Sequence, residues 1–392
     1  MSQLLINRSP DLKRIRDEGY DVRVKSGHLV VGNIPYVNAA REIKRGTLVS
    51  KLNLAGDVTT RPDTHVAYFA GEYPCNRDGS ELGKIRHASG PQQLAEGLVV
   101  QHSFSAKPLS GGYRDYYDQI TTYAAILSGP AEAIDPTVTA KGFPVVQAEA
   151  DECVFNYIDT ASSRAGISMV MMKLEIPKIA IVGLGGTGSY VLDLVAKTPV
   201  REIHLFDGDK FLQHNAFRSP GAASIEELQE SPKKVIYYRN RYMKMRRGIV
   251  AHEYHIDATT VEQLRGMDFV FLCIDGGAVK RLIIKKCEEF GIGFIDVGMG
   301  VELVDGSLIG ILRVTTSTVK QRDHVEKRVS SLEGDGNDDY SRNIQIPDLN
   351  ALNATLAVIK WKKLMGFYLD LENEHHSTYT IDGNTVTNDD RP

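Results

Sequence analysis

Cysteine is scarce in this chain: Cys75, Cys153, Cys273 and Cys287 are the only four in 392 residues. They lie far apart and form no Cys-x-x-Cys pair, which excludes a disulfide framework and a zinc ribbon as organising devices. Reduced thiols in a cytoplasmic protein are the default for such usage. Apolar runs approaching the roughly 20 residues needed to cross a bilayer are also missing. The opening stretch, MSQLLINRSPDLKRIRDEG, is too polar for a secretory signal, so the expectation is a cytoplasmic chain without a membrane partner. A surplus of positive charge is lacking as well. Forty-six Lys and Arg face 50 Asp and Glu, a formal charge of -4, so no global field gathers phosphate backbones and nucleic acid is not the expected partner. What remains is ordinary globular composition, 42% hydrophobic and 24% charged, in a chain long enough for two or three domains.

The chain changes character along its length. Residues 1–150 carry short strand-like runs, such as DVRVKSGHLVV and THVAYFAG, separated by Gly, Asn, Asp and Pro. They predict a smaller α+β domain whose topology is not readable. Residues 151–177 read as a linker. From Lys178 the pattern becomes KIAIVG as a buried strand, SYVLDLVAKT as a helix, REIHLFDGD as a second strand and SIEELQESPKKVIYYRNRYMKMR as a helix. Strands recur at HEYHID, FVFLCID and IGFIDVG. Continuous Ile, Val and Phe strands alternating with helices predict an α/β unit over 178–372, a Rossmann-like, doubly wound, mostly parallel sheet covered on both faces. VSSLEGDGNDDYSRN reads as a mobile loop, IPDLNALNATLAVIKWKKLMGFYLDL as a long amphipathic helix, and 373–392 as a tail.

The sharpest local signal is Gly183-Leu184-Gly185-Gly186-Thr187-Gly188-Ser189, directly after the strand KIAIV and directly before a helical pattern. Glycines there permit a tight turn and close approach of backbone to phosphate oxygens, and the helix start offers free N–H groups with partial positive charge. Gly183, Gly185, Gly186 and Gly188 are therefore candidate nucleotide-binding positions. About 20 residues on, Asp207 closes the next strand, where a carboxylate can accept both ribose hydroxyl hydrogens. On these two features alone a nicotinamide-dependent oxidoreductase fits as well as any other nucleotide-binding Rossmann protein.

The residues that follow separate these readings. Asp209, Asn215-Ala216-Phe217-Arg218, Ser231-Pro232-Lys233-Lys234 and Cys273-Ile274-Asp275 succeed one another. In that order the ThiF/MoeB/ubiquitin-activating superfamily shows Asp-x-Asp, Asn-x-x-Arg, a Lys opening the next helix and an Asp closing a later strand. The chain resembles that superfamily from about residue 170 to 370. The resemblance implies an adenylating enzyme that binds ATP and Mg²⁺ at the glycine loop. The C-terminal carboxylate of a ubiquitin-like or other small carrier protein would attack the α-phosphate, giving an acyl-adenylate and pyrophosphate. By the same resemblance Arg218 and Lys233 hold the phosphates, Asn215 orients them, Asp209 supports the loop carrying Asn215, and Asp275 binds Mg²⁺. Such a set has a physical reason, because anion attacking anion needs cations and a metal around the phosphorus, and hard carboxylate oxygens suit Mg²⁺. The resemblance also implies a homodimer in which Arg164, in YIDTASSRAGI, reaches the partner's ATP site. The long helix matches the one that follows the crossover loop, with Leu352, Leu356 and Trp361 as core residues.

The chain departs from the family pattern at its cysteines. None follows IDVGMG, where relatives that form a thioester usually carry one, and Cys273 and Cys287 are expected to be buried and inert. A non-catalytic scaffold that keeps the fold is the second reading. His375 and His376 are expected to be exposed tail residues. The first 150 residues resemble an uncharacterised domain commonly fused to bacterial ThiF-like proteins. There Cys75, in GEYPCNRDGS, is flanked by turn residues and expected to be exposed, as a candidate acceptor thiol of a conjugating-enzyme-like module. His65, His87, His102 and Asp63 share no ligand spacing. GGYRDYYDQITTY is either a helix facing a core or a docking face for a protein.

Overall fold

Alternating apolar residues draw the short strands of the first 150 residues into one antiparallel sheet. The computed structural model describes residues 2–148, 153–275, 277–329 and 344–391, and the chain divides into two units, Met1–Glu152 and Cys153–Pro392. The first unit opens with α1 (Ser2–Arg8) and α2 (Pro10–Asp17). Then come β1 (Asp21–Lys25), β2 (His28–Val37), β3 (Ile43–Lys51), the two-residue strands β4 (Leu54–Ala55) and β5 (Val58–Thr59), and β6 (Val66–Ala70). β7 (Arg86–Ala95), β8 (Leu98–Ser105) and α3 (Tyr116–Glu132) complete it. The six-stranded sheet has the order β1-β2-β3-β6-β8-β7. One face supplies Leu29, Val31, Leu48, Phe69 and Phe104 to a core closed by Tyr116, Ile120, Tyr123 and Leu127 of α3. Those four recur at helical spacing, so the aromatic segment is a core helix. Its buried hydroxyls are satisfied, as Tyr116 donates to the Lys51 carbonyl at 2.8 Å.

Two expectations for this unit need correcting or refining. Cys75 is 1% exposed rather than free. Its N–H donates to the Val37 carbonyl at 2.7 Å, which pins the turn against β2. Burial, reinforced by Glu81, Asp78 and Glu72, pushes its thiol pKa up, the opposite of a reactive cysteine. The three histidines each pair with a different serine hydroxyl: His65 with Ser105, His87 with Ser103 and His102 with Ser89, all at 3.0 Å.

The second unit begins with α4 (Thr160–Arg164) and α5 (Ser168–Met171), followed by β9 (Lys178–Val182), α6 (Gly186–Val195) and β10 (Glu202–Phe206). Next come α7 (Gln213–Ala216), α8 (Ile225–Glu230), α9 (Lys234–Tyr242), β11 (Ile249–His252) and β12 (Phe269–Leu272). α10 (Ala278–Glu289), β13 (Gly293–Val304), β14 (Ser307–Ser317), α11 (Val325–Arg328) and α12 (Pro347–Leu364) lead to β15 (His376–Thr380) and β16 (Thr385–Asp389). The sheet order is β11-β10-β9-β12-β13-β14-β15-β16. Pairing is parallel from β11 to β13 and antiparallel beyond. Because strand residues alternate faces, Ile179, Ile181, Leu205 and Phe271 enter one core with Trp361, while Ala180, Val182, Phe206 and Val270 enter another. This is the mostly parallel α/β sheet the runs from Lys178 predict.

Several boundaries differ from the sequence reading. The segment expected as one helix is broken into α8 and α9, because Ser231 adopts φ +45° and Pro232 offers no N–H to continue the ladder. The edge strand is Ile249–His252 rather than HEYHID, since its partner β10 ends opposite it, Phe206 pairing with His252. The strand begun at IGFIDVG runs on to Val304 and returns through Asp305 and Gly306, both at positive φ, the backbone a two-residue hairpin needs. Residues of the expected tail form β15 and β16, and β15 pairs with β14. His375 and His376 are consequently buried, at 6% and 5% exposure, not free. Residues of the expected linker belong to the second unit, where Phe155 bridges to Arg246. Of the stretch expected as a mobile loop, 329–343, Val329 is buried at 2% exposure, and 330–343 lies outside the described residues. No described helix is long and apolar enough to cross a membrane.

Candidate functional site

From β9 the chain passes to β10 on one side and later to β12 on the other, so the connections diverge at the carboxyl end of β9. In doubly wound sheets that divergence opens the ligand crevice. Three strand ends are stitched together there: Gly183 N–H donates to the Phe206 carbonyl at 2.9 Å, and Cys273 N–H to the Val182 carbonyl at 2.8 Å. Gly183 turns at φ +88°, and a Cβ on it would stand 2.6 Å from the Cys273 carbonyl oxygen. A Cβ on Gly188 would stand 2.0 Å from the Gly183 carbonyl oxygen, so neither position admits a side chain. Gly185 differs, since a Cβ there would meet nothing within 4 Å. The open side of the loop is at Gly185, where α6 begins without a side-chain cap.

Asp207 is 5% exposed. Its Oδ2 accepts the Leu184 N–H at 2.7 Å and its Oδ1 the Asp209 N–H at 2.8 Å, so the carboxylate offered to a ribose already fastens the glycine loop to the following turn. The Lys234 ammonium, 6% exposed, lies 2.8 Å from Asp209 Oδ2 and 3.6 Å from Asp207 Oδ2. Burial raises the Asp209 pKa, but the bond and charge of Lys234, helped by His255 and Lys233, outweigh it and hold the carboxyl below its usual range. Asp207, Asp209 and His255 bring metal-ligand atoms within 4.8 Å of one another. The Lys234 ammonium between the two acids already offsets one of their two charges. Lys233 hydrogen-bonds the Gly208 carbonyl through its amine, on the same turn.

Asn215 is 4% exposed, and its Oδ1 accepts the Leu212 N–H at 2.9 Å, closing the turn that starts α7. Arg218 follows, its N–H donating to the Asn215 carbonyl at 3.1 Å. Its Nε is buried, and no described group accepts from it. The nearby His214 is held below the usual histidine range, first by burial and then by the charges of Arg218 and Lys234. Asp275 is exposed just past β12, ahead of Gly277 and α10. Arg164 is exposed at the last position of α4. The thiol pKa values of Cys273 and Cys287 are both pushed well up, chiefly by burial.

The glycine loop, Asp207, Asp209, Lys233 and Lys234 thus form one connected cluster, with Asn215 and Arg218 on the next turn and Asp275 at the adjoining strand end. Two contributors went unread in the sequence. Lys234, not only Lys233, points into the acids, a distinction set by which of two adjacent residues starts α9. Asn350, on α12, is wholly buried against α6. A pair of asparagines three apart, Asn350 and Asn353, on an otherwise apolar helix face was the available signal.

Comparison with known proteins agrees with this geometry. A model described as the ThiF family matches residues 161–333, and one described as a domain of unknown function, DUF6791, matches residues 10–160. Ubiquitin-like modifier-activating enzyme 5 of Culex quinquefasciatus is 26% identical over 166 residues, covering 38% of this chain and 40% of that protein. The mouse (Mus musculus) protein of the same name is 23% identical over 163 residues, with the same two coverages. The match therefore spans about two fifths of those relatives' length, 40% in both. Among solved structures, PaaA aligns at 17% identity and TM-score 0.45, covering 59% of this chain and 70% of its own. E. coli MccB aligns at 18% and 0.46, covering 59% and 67%. With its glycine loop, doubly wound sheet and ordered Asp, Asn, Arg and Lys positions, the sheet-bearing unit of this chain is a ThiF-family domain of the ThiF/MoeB/ubiquitin-activating superfamily.

Proposed function

We propose that the chain is an ATP-dependent adenylating enzyme that activates the C-terminal carboxylate of a ubiquitin-like or other small carrier protein. The observation that carries this reading is the buried Arg218 Nε, from which no described group accepts, on a turn whose carbonyl Asn350 ties to the glycine loop. A buried donor left unpaired costs about 1–3 kcal/mol, and a phosphate oxygen accepting from the guanidinium removes that cost. The open side of Gly185 and the uncapped start of α6 suit the same anion. The exposed Asp275 carboxylate supplies the hard oxygen that Mg²⁺ prefers, and the ion there would neutralise phosphate charge.

In this reading the carrier carboxylate oxygen bonds to the α-phosphorus and the bond to the bridging oxygen of pyrophosphate breaks. Arg218 holds the phosphate oxygens, and Asn215 keeps its turn in place. Lys233 gives one of its three ammonium donors to the Gly208 carbonyl and keeps the others for a phosphate, whereas Lys234 stays to balance Asp207 and Asp209. Related enzymes work as pairs, so Arg164 acts from a second copy, and light scattering at micromolar concentration should give a dimer mass. The test of the activity is carrier-dependent exchange of labelled pyrophosphate into ATP. Arg218→Ala and Asp275→Ala should each lower it by on the order of 10²-fold or more; full exchange by either variant contradicts its assigned role.

A second reading, a non-catalytic scaffold, is motivated by the lack of a cysteine after IDVGMG; burial, which raises the thiol pKa values of Cys75, Cys273 and Cys287, makes none of the three a substitute for it. Absence of exchange with ubiquitin-like carriers bearing a free C-terminus would favour it. Saturable NAD binding without ATP binding would instead favour an oxidoreductase.

A further inference from the structure

We propose that Asn350 is a positioning residue that fixes Arg218 relative to the glycine loop, an inference that rests on the adenylation reading of the site. Asn350 lies in the first turns of α12 and is completely buried. A buried primary amide must place both its oxygen and its nitrogen, and here they go to two different parts of the site. Its Oδ1 accepts the Thr187 hydroxyl at 3.1 Å, in the first turn of α6. Its Nδ2 donates to the Arg218 carbonyl at 3.3 Å, across 132 residues of chain.

The amide also lies directly on Gly186, the first residue of α6. A Cβ at that glycine would stand 2.1 Å from Nδ2 and 2.6 Å from Oδ1. Gly186 therefore owes its lack of a side chain to the asparagine behind it, in contrast to the open Gly185. The Arg218 turn is held from its other side by Asn215, whose carbonyl accepts both the Arg218 N–H at 3.1 Å and the Ser219 hydroxyl at 2.7 Å. Asn350 is what joins this turn to the phosphate-facing loop. Sub-ångström placement of a group facing the reacting phosphorus is worth large factors, of order 10²-fold per ångström, so a residue that touches no ligand can still govern the Arg218 contribution.

Two variants of the full chain test this. Asn350→Asp keeps the shape and the acceptor for Thr187 but replaces the donor facing the Arg218 carbonyl with an oxygen; Asn350→Ala removes both bonds. Amide hydrogen exchange in nucleotide-free protein should quicken over residues 213–220 in both, while 354–361 within α12 stays as protected as in the parent. Titration with MgATP should show Asn350→Asp weakening binding about fivefold or more in the parent, yet less than about twofold in an Arg218→Ala background, the non-additivity of one residue acting through another. Unchanged exchange over 213–220, loss of protection throughout α12, or an equal MgATP penalty with and without Arg218 would each overturn the proposal. If the parent binds no MgATP but 213–220 responds, the adenylation reading fails while the Asn350 link to the Arg218 turn stands.

Discussion

A guanidinium nitrogen buried without an acceptor burdens the free protein, and Arg218 Nε has no acceptor among the described residues. Arg218→Met should therefore leave the nucleotide-free protein as stable as the parent, or more stable by about 1 kcal/mol, while adenylation falls. Thermal melts of the two proteins without nucleotide check this; a marked loss of stability would mean that the guanidinium has a partner of its own in the free protein. Lys234 behaves oppositely. It lies against Asp209 at 2.8 Å and near the buried Asp207, so Lys234→Met leaves those acids facing each other and should cost about 1–3 kcal/mol in a urea titration. Motif order was enough to mark Arg218, Asp207 and Asp275 in the sequence. It named Lys233 and gave no sign that Lys234 meets the acids, because adjacent residues at a helix start point in different directions. Cys75 misled for a related reason. Turn-forming neighbours suggested exposure, whereas its N–H is captured by Val37 and the thiol turns inward.

At the scale of elements, the segment that follows α12 contributes two pH-dependent steps. His376 begins β15 at 5% exposure, and burial, then Arg328 and Arg313, bring its pKa from 6.5 down to about 4. The folded chain keeps this ring neutral while the unfolded chain protonates it below 6.5, so stability is fully present above that pH and declines as pH falls towards 4. The loss should total about 3 kcal/mol, and His376→Asn should flatten the urea midpoint between pH 7 and 4.5. Asp370 acts lower. Burial raises its pKa, but Lys360 of α12 at 2.9 Å, with the Asn373 N–H and the charge of Lys363, outweighs that and brings it from 3.8 to about 2. Its contribution, about 2 kcal/mol, is present above pH 3.8 and lost towards pH 2, a step that Asp370→Asn should remove. These strands escaped the sequence reading because β16, TVTND, is largely exposed and carries no apolar run. The central parallel strands β9, β10 and β12 were legible because each is buried on both faces, as in β12, where all four residues of FVFL are buried. Continuity of a run did not locate β11, whose length depends on pairing with β10, nor the helix break at Ser231 and Pro232.

For the whole molecule, strand alternation with helices was sufficient to foresee the doubly wound unit, since parallel strands need crossovers and crossovers need helices on both faces. The first unit was opaque for the opposite reason: antiparallel strands can be ordered in many ways, and β6 pairing with β8 rather than β7 follows from no local pattern. The switch point of the second unit is where a triphosphate is expected to bind, so MgATP at about 100 times its dissociation constant should stabilise the folded chain by about 2.7 kcal/mol. Attack of a carboxylate on the α-phosphorus leaves an isotopic record that no other reading of this site shares. A ubiquitin-like carrier labelled with ¹⁸O in its C-terminal carboxylate, incubated with the protein, MgATP and hydroxylamine, should yield carrier hydroxamate, AMP containing one ¹⁸O, and unlabelled pyrophosphate. Label in pyrophosphate, or turnover that releases AMP without ¹⁸O, would contradict the account.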